Sequence, residues 1–393
     1  MDFPASKSRV DWTALAFGVA LSYLVFLVAM FVSGFWLRDA QGAIITNDFI
    51  DVFAAGTLAN AGHAASAYDW EAHRAAEIAV AGHFFDGYYG WHYPPPFLFV
   101  ASLLARLPYF VAFSFWIAVT LPLYAFAISR IANNRNAWLF ALAFPAVLLN
   151  IYVGQNGLAS AALIGATLLL MEDRPWLSGL CLGLLAYKPQ FGILFPFVLL
   201  ASGQWRVLAS AGATVLAMMI LSAFAFGTEA WTAFFHSIPH TTDMILAGGH
   251  AGWNKLQTIY GFVRWLGGSD HSAWIVQISV SLVLAAGVAF LWRSNLPFAL
   301  KAAALCTAAL LATPYAYIYD FPILAVSMAF LFRDRAFDRY EICVVAAAAA
   351  LIAVFPWAGS PVALASTLLV ASLITRRARK RGIDLLDVAL QRG

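Results

Sequence analysis

Long stretches of this chain run for more than twenty residues without a charged side chain, among them Thr13–Leu37, Val207–Thr228, Ser272–Trp292 and Ile342–Thr375. A bilayer core takes roughly 20 apolar residues per helix, and backbone polar groups there must be satisfied within the segment. The runs are continuous and do not alternate, so they read as helices and not as barrel strands. Only 11% of residues are charged and 62% are hydrophobic; a soluble domain carries about 25% charge. The expected fold is an all-α polytopic membrane protein. The first apolar run is too long for a signal-peptide core and no small-x-small site clearly follows it, so it reads as a retained helix.

Other classes fall away. A formal charge of +3, with basic residues scattered at the ends of apolar segments, does not suit nucleic acid. Cys181, Cys306 and Cys343 lie inside apolar segments and form no CxxC spacing. Neither a structural zinc site nor a disulfide framework is indicated.

Lys and Arg near span ends favour the cytoplasmic side. Lys7 and Arg9 precede a first span near 13–36, which puts a long first loop, about 38–95, outside. Residues 97–107 read as interfacial, followed by a crossing near 110–129 that ends at Arg130 and Arg135. Shorter spans follow near 137–153, 157–171, 175–187, 191–202 and 207–226, then a second large outer loop, about 227–273. Spans near 274–292 and 298–314 come next, then a return to Arg333 and Arg335 and two spans hinged at PWAGSP (356–361). The sum is about 12 spans with both termini cytoplasmic. Residues 1–375 form one transmembrane unit, and 376–393 a basic tail that starts with RRARKR and suits anionic inner-leaflet lipid. Short, proline-marked spans point to a polar cavity open to the outer side.

That threading gathers the polar residues on one side: Asn47, Asp48 and Asp51; His92 and Tyr93; Gln155 and Asn156; Lys188 and Gln190; His250 and Asn254; Tyr319 and Asp320. A carboxylate can take a proton from a hydroxyl. A lysine with amide donors can receive a phosphate as a point charge. Tyr and Trp suit a ligand with a wet and an apolar end. Each residue also has a plainer reading. Asp48 and Asp51 fit a helix start equally well. Lys188 fits a side chain snorkelling to headgroups, and His92 fits an interfacial residue. The first loop holds His63, His73 and His83 near Asp69, Glu71 and Asp86, but in no compact zinc-ligand pattern. No metal and no cofactor is expected.

The order of motifs, NDFxD after the first span, then YPPP, GQNG, YKPQ and PYAYIYD, resembles glycosyltransferase family 87 of the membrane-embedded C superfamily. That family includes the mycobacterial mannosyltransferases of phosphatidylinositol mannoside synthesis. The resemblance covers about residues 13–375 and implies the glycosyltransferase C-type fold. It implies a polyprenyl-phosphate sugar as donor, mannose favoured, and transfer on the outer side of a bacterial inner membrane. The acceptor would be a hydroxyl of a lipid or envelope glycan. It implies that Asp48 is the general base, with Lys188 and Gln190 near the donor phosphate. His250 or Asn254 would lie near donor or acceptor, and Asp320 would hold a recurrent acidic position. The alternative from a different class is a transporter or flippase for a glycolipid or polyprenyl-linked sugar. It predicts an internal repeat, and none stands out.

Overall fold

The computed structural model describes residues 11–87 and 89–381. Lys7 and Arg9, which orient the first expected span, and the tail after Arg381 lie outside the described residues. The helices of twelve or more residues are α1 (Trp12–Val32), α2 (Phe49–Asn60), α3 (Trp70–Ala81), α4 (Tyr109–Ala132), α5 (Gly157–Leu170), α6 (Trp205–Phe226), α7 (Thr228–Thr242), α8 (Asp270–Arg293), α9 (Phe298–Ala312), α10 (Pro322–Asp334), α11 (Arg339–Ala353) and α12 (Val362–Lys380). Between them lie short helices and turns, and the described residues hold no strand beyond isolated bridges near Trp36 to Ile44.

Four helices, α1, α4, α6 and α8, are long and apolar enough to cross a membrane. On α1 the side chains of Leu15, Phe17, Leu24, Val25 and Val28 are exposed, as a lipid-facing surface requires. The other apolar helices are shorter. The chain is therefore an all-α, membrane-associated helical bundle of the kind expected, while the count of about 12 spans goes beyond what these four helices establish. The short helices have a physical explanation in their burial. Nearly every residue of α9 and the first ten of α10 are buried, so these helices meet protein rather than lipid. Helices shorter than the bilayer are tolerated where neighbours cover them.

The segment between the third proline of YPPP and α4 behaves as its sequence suggests. Leu98–Leu104 is one short helix, and Pro108 stands at the N-cap of α4. The expected basic tail differs in part. Helix α12 continues through Lys380, and Arg376 and Arg377 turn toward Asp338, Glu341 and Asp334. These guanidiniums satisfy protein carboxylates where lipid headgroups were expected.

Both long loops are folded layers. The first carries α2 and α3, with a core of its own built on Phe49, Ile50, Trp91, Tyr93, Phe97 and Phe113. Asp69 caps α3 by accepting the Ala72 N–H at 2.8 Å. The second carries α7, a π-helical turn at Asp243–Ala247 and a short helix Ile259–Trp265. It packs back on the first through Phe234 and Tyr68, whose rings are 5.7 Å apart. The motif GQNG shows why its glycines are needed. Gly154 ends the preceding helix at φ +74°, a left-handed turn. A Cβ on Gly157 would stand 1.8 Å from the Tyr319 carbonyl oxygen, so only glycine lets α5 approach PYAYIYD.

Candidate active site

A cavity of about 910 Å³ lies under these loops. Its wall takes Asp48 and Asp51 from the first loop, and His92 and Tyr93 from the approach to YPPP. Gln155 comes from GQNG, Lys188 and Gln190 from YKPQ, His250 from the second loop and Tyr319 from PYAYIYD. The structure thus brings nine of the expected residues around one space. Asn47, Asn156, Asn254 and Asp320 are not in the wall.

Local geometry separates the two possible roles of Asp48. It stands at the N-cap of α2, but its side chain caps nothing. Asn47 does that work: its Oδ1 accepts the Phe49 N–H at 3.1 Å and the Tyr109 hydroxyl at 3.3 Å. Asp48 instead accepts from Gln155 Nε2 at 3.2 Å. The Tyr93 hydroxyl donates to Gln155 Oε1 at 3.0 Å, which turns the amide so that its NH₂ faces Asp48. The Tyr68 hydroxyl in turn donates to the Tyr93 carbonyl at 3.0 Å. A chain of hydrogen bonds therefore aims one donor at one carboxylate. Burial pushes Asp48 up to about 6, while Gln155, Lys255 and Lys188 pull the other way.

Asp51, one helical turn on, is buried and faces inward. Burial and the Asp48 charge push it well above the usual carboxylate range. Its Oδ1 lies 3.3 Å from His73 Nε2, and Glu77 Oε1 lies 3.7 Å from the same nitrogen. Burial lowers His73 to about 4 and raises Glu77 to about 8. Burial thus works against the charged form of Asp51, His73 and Glu77 alike, while Arg74 Nη1 stands 3.5 Å from Glu77 Oε2. Among the described residues no three His, Cys, Asp or Glu side chains are arranged to hold a metal ion.

Lys188 is buried. Its segment leaves regular helix at a 3₁₀ turn, Leu185–Tyr187, and Pro189 restarts it. Lys188 Nζ meets Asp320 Oδ1 at 2.6 Å. The second oxygen of Asp320 accepts the Tyr317 N–H at 3.1 Å. Asp320 is therefore occupied as an anchor, which fits its absence from the wall. Lys188 is not the isolated cation the sequence suggests, since a buried carboxylate already balances it. His92 Nδ1 pairs with Thr241 Oγ1 at 3.2 Å, and His250 Nδ1 with the Met244 carbonyl at 3.0 Å. The Asn254 backbone carbonyl accepts Gln257 Nε2 at 2.7 Å.

The cavity is also lined by Lys255, one of the polar residues of the second loop, and by Trp70, Tyr89, Thr241, Tyr315 and Tyr317, which were not singled out from the sequence. A signal was present for two of them. In PYAYIYD the tyrosines fall at every second position, which puts Tyr315, Tyr317 and Tyr319 on one face of an extended segment. Ala316 and Ile318, the alternate residues, are buried.

A family model described as Glycosyltransferase family 87 matches residues 91–314, more than half of the 393-residue chain. The matched stretch includes YPPP, GQNG and YKPQ but neither Asp48 nor Asp320. No curated protein and no solved structure matches.

Proposed function

This chain belongs to glycosyltransferase family 87, and from that premise we propose an inverting transferase that uses a polyprenyl-phosphate sugar as donor. The acceptor is a hydroxyl of a lipid or envelope glycan, and mannose is the sugar to try first. The protein sits in a bacterial inner membrane, both termini are cytoplasmic, and the cavity opens to the outer side.

The observation that carries this reading is that Asp48, released from capping by Asn47, shares one cavity with Lys188. The acceptor oxygen attacks the anomeric carbon as its proton passes to Asp48. The carbon–oxygen bond to phosphate breaks on the opposite face, and polyprenyl phosphate leaves with the electron pair. A hydroxyl is a poor nucleophile, so a base is needed. A phosphate leaves as a stable anion, so no general acid is needed, unlike the two-carboxylate pattern of inverting hydrolases. Lys188 and the exposed Lys255 favour the negative charge that grows on the leaving oxygen. Gln190 adds an amide from the same wall. Asp320 keeps Lys188 in place and moderates its charge. Asp51 orients its segment beside Asp48.

The test uses membrane vesicles supplied with labelled polyprenyl-phosphate mannose, glucose, galactose and arabinose, together with lipid and glycan acceptors. Transfer from at least one donor is expected, with inversion at the anomeric carbon. No transfer from any of the four overturns the donor assignment, and retained configuration overturns the one-step reaction.

A further inference from the structure

Asp48 and Asp51 stand three residues apart at the start of α2, and both line the same cavity. Side chains at i, i+3 on a helix are neighbours, about 5–6 Å apart at Cβ. Two acids so placed, away from water, do not readily both ionise, and tend to share one proton. A shared proton would blunt Asp48 as a base, because the carboxylate would already be engaged. The structure gives each acid a different partner instead.

Asp48 accepts an amide hydrogen from Gln155 at 3.2 Å, and Lys188 and Lys255 stand in the same wall. All three favour its anion. Asp51 is 3% exposed, and its Oδ1 faces α3, where His73 Nε2 lies at 3.3 Å. Among the described residues no lysine or arginine pairs with Asp51. Arg74, one residue after His73, is taken up by Glu77 at 3.5 Å, by the Phe85 carbonyl and by the Phe85 ring, 4.1 Å from its guanidinium. His73 and Glu77 are fully enclosed, and neither lines the cavity. Glu77 Oε1 approaches the same imidazole nitrogen at 3.7 Å. Burial disfavours the imidazolium and the Asp51 carboxylate alike. The pairing of neutral forms is a carboxyl O–H donated to a bare ring nitrogen. The other ionisable groups that reach this pair are Tyr89, His92, Tyr93 and Tyr315. Burial holds all four in their uncharged forms, so none of them supplies a competing charge.

We propose that His73 is a positioning residue: its Nε2 accepts the hydrogen of the Asp51 carboxyl, which keeps that proton on the α3 side and leaves Asp48 an unshared base. This rests on Asp48 as the proton acceptor of the transfer described above. It accounts for an enclosed histidine set directly behind a cavity acid. Without the imidazole, the Asp51 hydrogen turns to the acceptor one helical turn away, Asp48. A carboxylate that accepts such a bond is a weaker base.

The experiment uses the full chain in nanodiscs and two readouts. One titrates Asp48 itself without donor, by its infrared carboxyl band, assigned by its loss in Asp48→Asn. The other is the pH profile of kcat/KM for transfer. His73→Leu should move both midpoints to lower pH by about one unit and lower kcat about tenfold, with KM little changed. His73→Gln, whose amide oxygen can accept the same hydrogen, should move them less. His73→Leu combined with Asp51→Leu should bring the infrared midpoint most of the way back. Melting curves check folding. Should the leucine variants melt early, the wild type decides: the ¹⁵N shifts of the His73 ring, assigned by their loss in His73→Gln, should show Nε2 without a proton. A proton on Nε2 overturns the proposal. So do midpoints unmoved by His73→Leu, or moved and not brought back by Asp51→Leu. Failed transfer from every polyprenyl donor, with the infrared shifts as expected, sinks the donor assignment alone.

Discussion

The two charged clusters of this bundle sit at opposite ends of α10 and are built on opposite principles. Asp320 precedes that helix and Asp334 ends it, so a helix of 13 residues, about 20 Å along its axis, separates them. At the Asp334 end every carboxylate has a guanidinium. Arg377 grips Glu341 with two bonds of 3.0 and 2.8 Å, and also reaches Asp334 at 3.3 Å and the Arg335 carbonyl at 3.1 Å. Arg376 bonds Asp338 at 3.0 Å and Glu341 at 3.1 Å. The Glu341 N–H and then Arg376 hold Asp338 below the usual carboxylate range. At the cavity end Asp48, Asp51 and Glu77 are desolvated with few cations near, and all three are pushed up. Satisfied charge locks α10, α11 and α12 together. Under-satisfied charge is the arrangement that chemistry uses.

The largest effect that would sharpen this contrast is on turnover. Asp48→Asn keeps the Gln155 contact but removes the proton acceptor. Transfer from the polyprenyl-phosphate sugar should fall by a factor of about 10²–10⁴, the usual share of a positioned base, with thermal stability unchanged. Donor binding, read by a fluorescent polyprenyl-phosphate probe, should survive. A fully active variant would remove Asp48 from the reaction and collapse the distinction between the clusters.

Next comes the opposite cluster. Arg377→Ala removes the two-bonded partner of buried Glu341, leaving it Arg376 and Arg335 and leaving Asp334 with Arg381, so the cost should fall at or below the range of about 3–5 kcal/mol for breaking a buried ion pair on one side. Denaturation in micelles would read it as an early loss of helix. Transfer by the fraction that remains folded should be near wild type. If the change is instead harmless to stability, the cluster does not act as a lock.

A smaller effect belongs to Gln155. Asp48 must be ionised to act, so kcat/KM should fall about tenfold per pH unit below about 6. Gln155 favours the ionised form through its 3.2 Å bond. Gln155→Ala should therefore move the acid limb to higher pH, by no more than about one unit. A profile that stays put would mean that burial alone sets the limb.

How much of this was legible beforehand follows the same division. Charge-free runs announced a helical membrane bundle because a bilayer admits few alternatives. The motif order placed Asp48, Gln155, Lys188 and Tyr319 together because each stands at the end of an apolar segment. What the sequence hid was partnership. Nothing in TNDF says that Asn47 caps and Asp48 does not. Nothing in YKPQ says that Lys188 meets a carboxylate 132 positions away. His73 and Glu77 share one face of α3 at i, i+4 spacing. That this face meets Asp51 depends on how α3 packs on α2, a tertiary fact with no local signature. The span count failed to emerge for a related reason. Composition cannot distinguish a helix that faces lipid from one buried at the centre of a bundle, and α9 and α10 are the second kind.

The smallest expected effect tests whether the desolvated acids of the cavity end cost stability. Glu77 has an ordinary value of 4.5 and stands at about 8 in the fold, chiefly through burial. Its folded value is raised, so its contribution is fully present below about 4.5 and is lost as pH rises through about 8. His73 runs the other way. Its value falls from 6.5 to about 4 through burial, so its contribution is present above 6.5 and is lost as pH falls through about 4. Wild-type Tm should therefore decline between pH 5 and pH 8.5 on account of Glu77. Glu77→Gln keeps the shape and cannot ionise, so its decline over the same window should be smaller, by about 2–5 °C. Glu341→Gln, at the opposite end, should lower Tm at both pH values because it breaks bonds to Arg377 that are present throughout. Equal behaviour of the two glutamine variants would mean that the clusters differ in their partners but not in their energetics.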